Sequence, residues 1–125
     1  MSLRVLLADN EVMRKVIKYL LKGDPEMNVV GETFTFAETI RLTKELQPEV
    51  IVMDLHMRDG EYVAPSQVKA CLAGSRLLAI SLQTGTGAKA LADSFGAVIL
   101  LDKLHLTAEL IPAIKLYAGD KAFAV

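Results

Sequence analysis

At 125 residues, with 52% hydrophobic and 23% charged side chains, the chain suits one globular domain with a real core and is too apolar to be disordered. A formal net charge of −1 gives no bulk attraction for nucleic acid or a membrane surface. The single cysteine, Cys71, excludes an internal disulfide framework and the Cys/His clusters of zinc sites, which suits a reducing cytoplasm. No apolar run approaches the ~20 residues of a membrane span, and the amino terminus does not read as a secretory signal.

Short runs rich in Val, Ile, Leu and Met alternate with longer helical patterns. LRVLLA (Leu3–Ala8) reads as a strand. Val12, Val16, Tyr19 and Leu20 then follow helical spacing, with Gly23 as the stop. MNVVGE (Met27–Glu32) is more polar, as an edge strand would be. Thr35 and Glu38 carry a capping-box signature ahead of Ile40, Leu42 and Leu46, and Pro48 closes that helix. EVIVMD (Glu49–Asp54) is a third strand, and Val63 to Leu72 a weaker helix with Pro65 near its start. RLLAIS (Arg76–Ser81) is a fourth strand, followed by a helix over Thr84 to Phe95 whose entry Gly85 and Gly87 loosen. AVILLD (Ala97–Asp102) is the fifth strand; Thr107 is the candidate cap of the last helix, which Pro112 is expected to bend.

Four of these strands are nearly continuous in apolar residues, the pattern of strands covered on both faces in a parallel sheet. Five βα units with right-handed crossovers make an open, doubly wound α/β sheet with helices on both faces, since five strands are too few for an eight-stranded barrel. No internal repeat, low-complexity tract or linker interrupts the pattern.

In such sheets function lies beyond the carboxyl ends of the strands. The sequence places Asp9, Asn10 and Glu11 after the first strand, Asp54 at the end of the third, Ser81 at the end of the fourth, and Asp102 and Lys103 at the end of the fifth. If all five strands are parallel, carboxylates, a hydroxyl and an amine face one shallow cleft. Two carboxylates with a backbone carbonyl are hard oxygen ligands suited to magnesium. An ionised aspartate can act as a nucleophile and form an acyl phosphate. A metal and a lysine would neutralise charge on the phosphoryl group, and a serine hydroxyl could hydrogen-bond one of its oxygens.

These residues resemble the receiver domains of two-component response regulators. RVLLADNEVMRKVIKYLL resembles the family's opening strand, acidic pocket and first helix; PEVIVMDLHM its phosphoacceptor strand and loop; LLAIS its fourth strand with a terminal Ser or Thr; and GAVILLDK its fifth strand with the lysine. The resemblance spans nearly the whole chain and implies a flavodoxin-like (CheY-like) fold with strand order 2-1-3-4-5. It implies Asp54 as phosphoacceptor, Asp9 as the surviving acid of a magnesium pocket, the His56 backbone carbonyl as a further metal ligand, Ser81 as the switch hydroxyl and Lys103 as the contact to the phosphoryl group. A histidine kinase would be the phosphodonor partner, and phosphorylation would shift the face built by the fourth helix, fifth strand and fifth helix toward pairing with a second receiver or releasing an output domain. PEMNVVGE and PEVIVMDL look most like the subfamily with a LuxR-type helix-turn-helix, so DNA would be reached only through an output domain not contained in this chain. The segment at about 118–125 resembles the start of a linker to such a domain.

Four residues depart from the family pattern. Asn10 stands where a second acid is usual, which weakens it as a metal ligand and should weaken magnesium binding. Arg58 replaces a proline in the loop after Asp54, so that loop can take another shape and Arg58 can reach the site as an extra cation. Leu82 follows Ser81 where a small residue is common and can restrict access, and Leu100 replaces an aromatic switch residue. Asp9 and Asn10 are each also good helix caps, and Asp102 reads as solvated or as a local partner for a lysine. His56 and His105 read as loop or surface residues, and Cys71 as a helix-face packing residue. The leading reading is a receiver phosphorylated on Asp54, not a turnover enzyme. The runner-up is a receiver-like interaction module with a degenerate metal site that works without phosphorylation. A metal-dependent phosphatase or flavodoxin-like binder ranks third, because no glycine-rich phosphate loop follows the first strand.

Overall fold

The structure, a computed structural model, describes residues 2–120, with side chains described for 2–118. Strands β1 (Leu3–Ala8), β2 (Met27–Thr33), β3 (Val50–Asp54), β4 (Arg76–Ser81) and β5 (Ile99–Asp102) alternate with helices α1 (Glu11–Lys22), α2 (Phe36–Leu46), α3 (Pro65–Cys71), α4 (Thr86–Ser94) and α5 (Leu106–Asp120). The strands form one parallel sheet in the order β2-β1-β3-β4-β5, with β2 at an edge as its polar sequence implies. The order reverses direction between β1 and β3, which opens a crevice at their carboxyl ends.

The period-two alternation of strand side chains divides the core into two layers. Val5, Leu7, Val50, Val52, Leu78, Ile80 and Leu101 meet Ile17 and Leu21 of α1 and Leu106, Leu110 and Ile114 of α5 on one face. Leu6, Ala8, Ile51, Met53, Leu77 and Ala79 meet Phe36 of α2, Val68 of α3 and Ala92 of α4 on the other, where Phe36 stacks on Phe95 with ring centroids 5.0 Å apart. Burying one such Leu or Phe contributes about 1.5–3 kcal/mol, which makes both layers strong determinants of register. Gly31 lets α2 approach β2: a Cβ there would lie 3.0 Å from Leu6 Cδ1 and 3.1 Å from Leu46 Cδ1.

Local signals mostly act as read. Thr35 Oγ1 accepts from Glu38 N, and Gln47 closes α2 in a left-handed conformation (φ 46°) just before Pro48. The buried face of α1 and the entry to α5 are settled by packing. Helix α1 buries Ile17 and Leu21, with Met13 and Leu20 partly buried, while Val12, Val16 and Tyr19 are exposed. The helix carries two apolar stripes, and the one at 13, 17, 20 and 21 faces the sheet. Thr107 caps nothing, because a 3-10 turn over Lys103–His105 leads directly into α5 and is capped by Asp102, which accepts from Leu104 N at 2.9 Å. Asp102 is therefore a turn cap with His105 beside it, rather than a lysine's partner. Pro112 lies inside α5, where it removes one backbone donor. The expected linker at about 118–125 lies, from residue 121 on, outside the described residues.

Candidate functional site

Four strand ends bring the sequence-predicted residues together. Asp9 follows β1, Asp54 ends β3, Ser81 ends β4 and Lys103 follows β5. The Lys103 ammonium bridges the carboxylates, 2.9 Å from Asp9 Oδ2 and 3.5 Å from Asp54 Oδ1. The three side chains are 10%, 0% and 14% exposed, in the order Lys103, Asp9, Asp54, so only Asp54 and the lysine reach solvent. The charges at this edge are only weakly screened, and the ion pairs are correspondingly strong.

The two aspartates differ in surroundings. Asp9 Oδ1 accepts from Asn10 N at 2.7 Å. Asp9 Oδ2 is buried, and its one close polar partner is the Lys103 ammonium at 2.9 Å. Burial pushes the Asp9 carboxyl above its ordinary range and the like charge of Asp54 adds to this, against the pull of Lys103 and the Asn10 N–H. Asp54 instead opens onto two clefts. One, of about 400 Å³, is lined by Asn10, Glu11, Arg14, Phe34, His56 and Arg58 among others. The other, of about 330 Å³, is lined with Asp54 by His56, Ser81, Leu82, Gln83 and Lys103.

The departures from the family pattern find physical places. Asn10 turns its side-chain oxygen to Met13 N at 2.9 Å and caps α1, so that oxygen is already engaged. Leu82 stands on the wall of the second cleft with Asp54 and is 66% exposed. Ser81 is buried and its Oγ accepts from Gln83 N at 3.0 Å, which leaves its hydroxyl proton free to donate. His56 lines both clefts, and Leu100 is partly buried at the far side of α4. Cys71 is half-buried, and burial pushes its thiol up.

Three residues that the sequence did not single out support the site. Asp59 accepts from Phe36 N at 2.8 Å and Ala37 N at 3.0 Å, tying the loop after Asp54 to the start of α2. That loop closes on itself through Gly60 N to Met57 O and Tyr62 N to Asp59 O. Arg14 donates to the carbonyls of Asp9 and Thr33 and to Glu32, joining the ends of β1 and β2. The Phe34 ring meets the guanidinium groups of both Arg14 and Arg58, 6.0 and 5.5 Å from its centroid. The Asp-Gly pair at 59–60 marks a turn in the sequence, but nothing local reveals a cap offered to a helix 22 residues earlier.

Among the described residues no group of three or more His, Cys, Asp or Glu side chains is placed to hold a metal ion. The carboxylates of Asp9 and Asp54 form an acidic pair at this edge, and Asp9 Oδ2, paired only with the Lys103 ammonium, is an oxygen that a hard cation can use.

A five-stranded doubly wound sheet with an acidic crevice and a lysine at its switch point defines a CheY-like fold. No family model matches the sequence. The protein-glutamate methylesterase/protein-glutamine glutaminase of Thermotoga maritima is 31% identical over 106 residues, which is 82% of this chain and 31% of that protein. The response regulator domain of Thermotoga maritima CheB superposes with a TM-score of 0.82 at 27% identity, covering 95% of this chain and 98% of that one. A LuxR-family two-component response regulator from an Aurantimonas species superposes with a TM-score of 0.84 at 24% identity, covering 96% and 87%. Sequence and fold together place the chain among the CheY-like receiver domains of response regulators. The chain spans between 16% and 36% of the length of these curated relatives, 31% in the Thermotoga maritima case.

Proposed function

We propose that this receiver accepts a phosphoryl group on Asp54 from a histidine kinase. The observation that carries this reading is the contrast between two carboxylates sharing one lysine: Asp9 is sealed and Asp54 opens onto two clefts. An ionised Asp54 oxygen attacks phosphorus, and the bond from phosphorus to the donor's leaving group breaks. Lys103, already 3.5 Å from Asp54 Oδ1, balances the charge added there. Ser81 turns its free hydroxyl proton to a phosphoryl oxygen, and its movement carries the signal toward α4 and β5.

Asp9, through Oδ2, and Asp54 would hold magnesium, with the His56 carbonyl as a third donor and Asn10 adding no charge. When bound, magnesium supplies positive charge to the phosphoryl oxygens. The domain is a regulatory input and not a turnover enzyme. Its output is transcription control through a LuxR-type DNA-binding domain joined beyond about residue 118, with receiver pairing as an intermediate and the cytoplasm as the place of action. Support for the output comes from the likeness to the LuxR-family regulator. No helix among the described residues is long and apolar enough to cross a membrane.

Intact-mass measurement after incubation with acetyl phosphate tests the reading. One added phosphoryl group, absent from Asp54→Ala, is the expected result. No addition to the wild-type chain, with or without magnesium, overturns it in favour of a phosphorylation-independent interaction module.

A further inference from the structure

The loop after Asp54 carries a cation with no assigned work. Arg58 is exposed, and among the described residues it has neither an ion pair nor a hydrogen bond; its guanidinium is placed by Phe34, 5.5 Å from the ring centroid. Stacking uses the face of a guanidinium and leaves its in-plane N–H fork free for oxygen acceptors. The other guanidinium beside Phe34 is held in place, since Arg14 Nε binds Glu32 and its Nη1 binds the Asp9 and Thr33 carbonyls. Glu11, the acid of the same cleft, is paired with Lys15 at 3.4 Å. Arg58 is thus an unpaired cation on the wall of the cleft into which Asp54 opens.

Charge in the crevice follows. Asp9 and Asp54 share Lys103, Arg14 is paired with Glu32 and Glu11 with Lys15, so Arg58 is the added cation of the cleft and the neutral Asn10 adds nothing. Attaching a phosphoryl group brings roughly −1.5 to −2 of charge and three acceptor oxygens. A divalent cation gains less from a crevice with an added cation than from one with surplus carboxylates. We propose that Arg58 binds the phosphoryl group on Asp54 directly, and that with Asn10 it lets this receiver be phosphorylated with little dependence on a divalent cation. The proposal rests on Asp54 being the acceptor.

The test compares the wild-type chain, Arg58→Ala and Arg58→Lys, with acetyl phosphate as donor: the bond from Asp54 Oδ to phosphorus forms, and the bond from phosphorus to the acetate oxygen breaks, acetate leaving with the electron pair. Intact mass reads the rate of addition in magnesium and in chelator, and calorimetry reads magnesium binding to the unphosphorylated chain. The wild-type rate in chelator is expected within about threefold of that in magnesium. Arg58→Ala is expected to lose about tenfold or more in chelator, the effect of one charge-assisted hydrogen bond, with partial rescue in Arg58→Lys. Arg58→Ala is also expected to bind magnesium about two- to fivefold more tightly, because a repelling cation is gone. A wild-type chain phosphorylated only with magnesium, an Arg58→Ala rate in chelator equal to wild type, or an unchanged magnesium affinity overturns the proposal alone. No addition to Asp54 in either buffer overturns the acceptor reading beneath it.

Discussion

Replacing Asp59 with alanine removes both oxygens that cap the first turn of α2 from a distant loop. The bonds run to Phe36 N at 2.8 Å, partly buried, and to Ala37 N at 3.0 Å, exposed. Water can replace the second at little cost, but the first leaves a partly buried donor unpaired beside a buried ring. A hydrogen bond to a charged group contributes about 1.5–3 kcal/mol, and loss of a helix cap costs about 0.5–2 kcal/mol. Thr35 still caps Glu38 N at 3.1 Å and holds part of the turn. The expected loss is therefore about 2 kcal/mol, a visible fraction of the ~5–15 kcal/mol that a domain has. Urea unfolding followed by circular dichroism should show a lower midpoint with an unchanged slope, and Asp59→Asn, which keeps one oxygen acceptor, should fall between. Hydrogen exchange should also quicken at the amides of Gly60, Tyr62 and Val63, which close the loop carrying His56 and Arg58. Stability of Asp59→Ala within about 0.5 kcal/mol of wild type would refute the view that this carboxylate anchors the loop.

Asp9 gives a pH dependence of unusual sign. Burial holds its folded-state carboxyl above the ordinary range, so the folded chain binds that proton more readily than the unfolded one. Its charge therefore costs stability at neutral pH, and that cost disappears as pH falls through the raised value toward the unfolded one. In metal-free neutral buffer Asp9→Asn should raise Tm, and thermal scans across pH should show the gain shrinking on acidification. Gly96 has φ +81°, and a Cβ there would lie 2.9 Å from Lys69 Cγ, so Gly96→Ala should cost about 1–3 kcal/mol in chemical unfolding.

Much of the fold was legible because β-branched runs and helix patterns alternate without interruption. Leu3–Ala8 and Arg76–Ser81 were read to the residue, since each is an apolar run bounded by polar or small residues. The strand order came from family resemblance, as periodicity says nothing about which strands are neighbours. The spacing on α1 marks the helix but not its buried face, because apolar residues occupy two faces and only the sheet decides which is buried. At the carboxyl edge, position along the chain was enough to bring Asp9, Asp54 and Lys103 within ionic contact. Asp59, Arg14 and Phe34 were missed because their roles depend on contacts between segments far apart in sequence. Asn10 shows both kinds of information at once: its identity flagged a weakened metal ligand, and the structure shows its oxygen engaged in capping α1.

The most direct measurement is to locate the modification. After reaction with acetyl phosphate, borohydride reduction converts an acyl phosphate to a primary alcohol, and tandem mass spectrometry then reads its position. A single reduced site at Asp54, with Asp9 untouched, is the expected result. Reduction elsewhere, or no reduced residue despite a gain in mass, would contradict the assignment of Asp54 as the open carboxylate that takes the phosphoryl group.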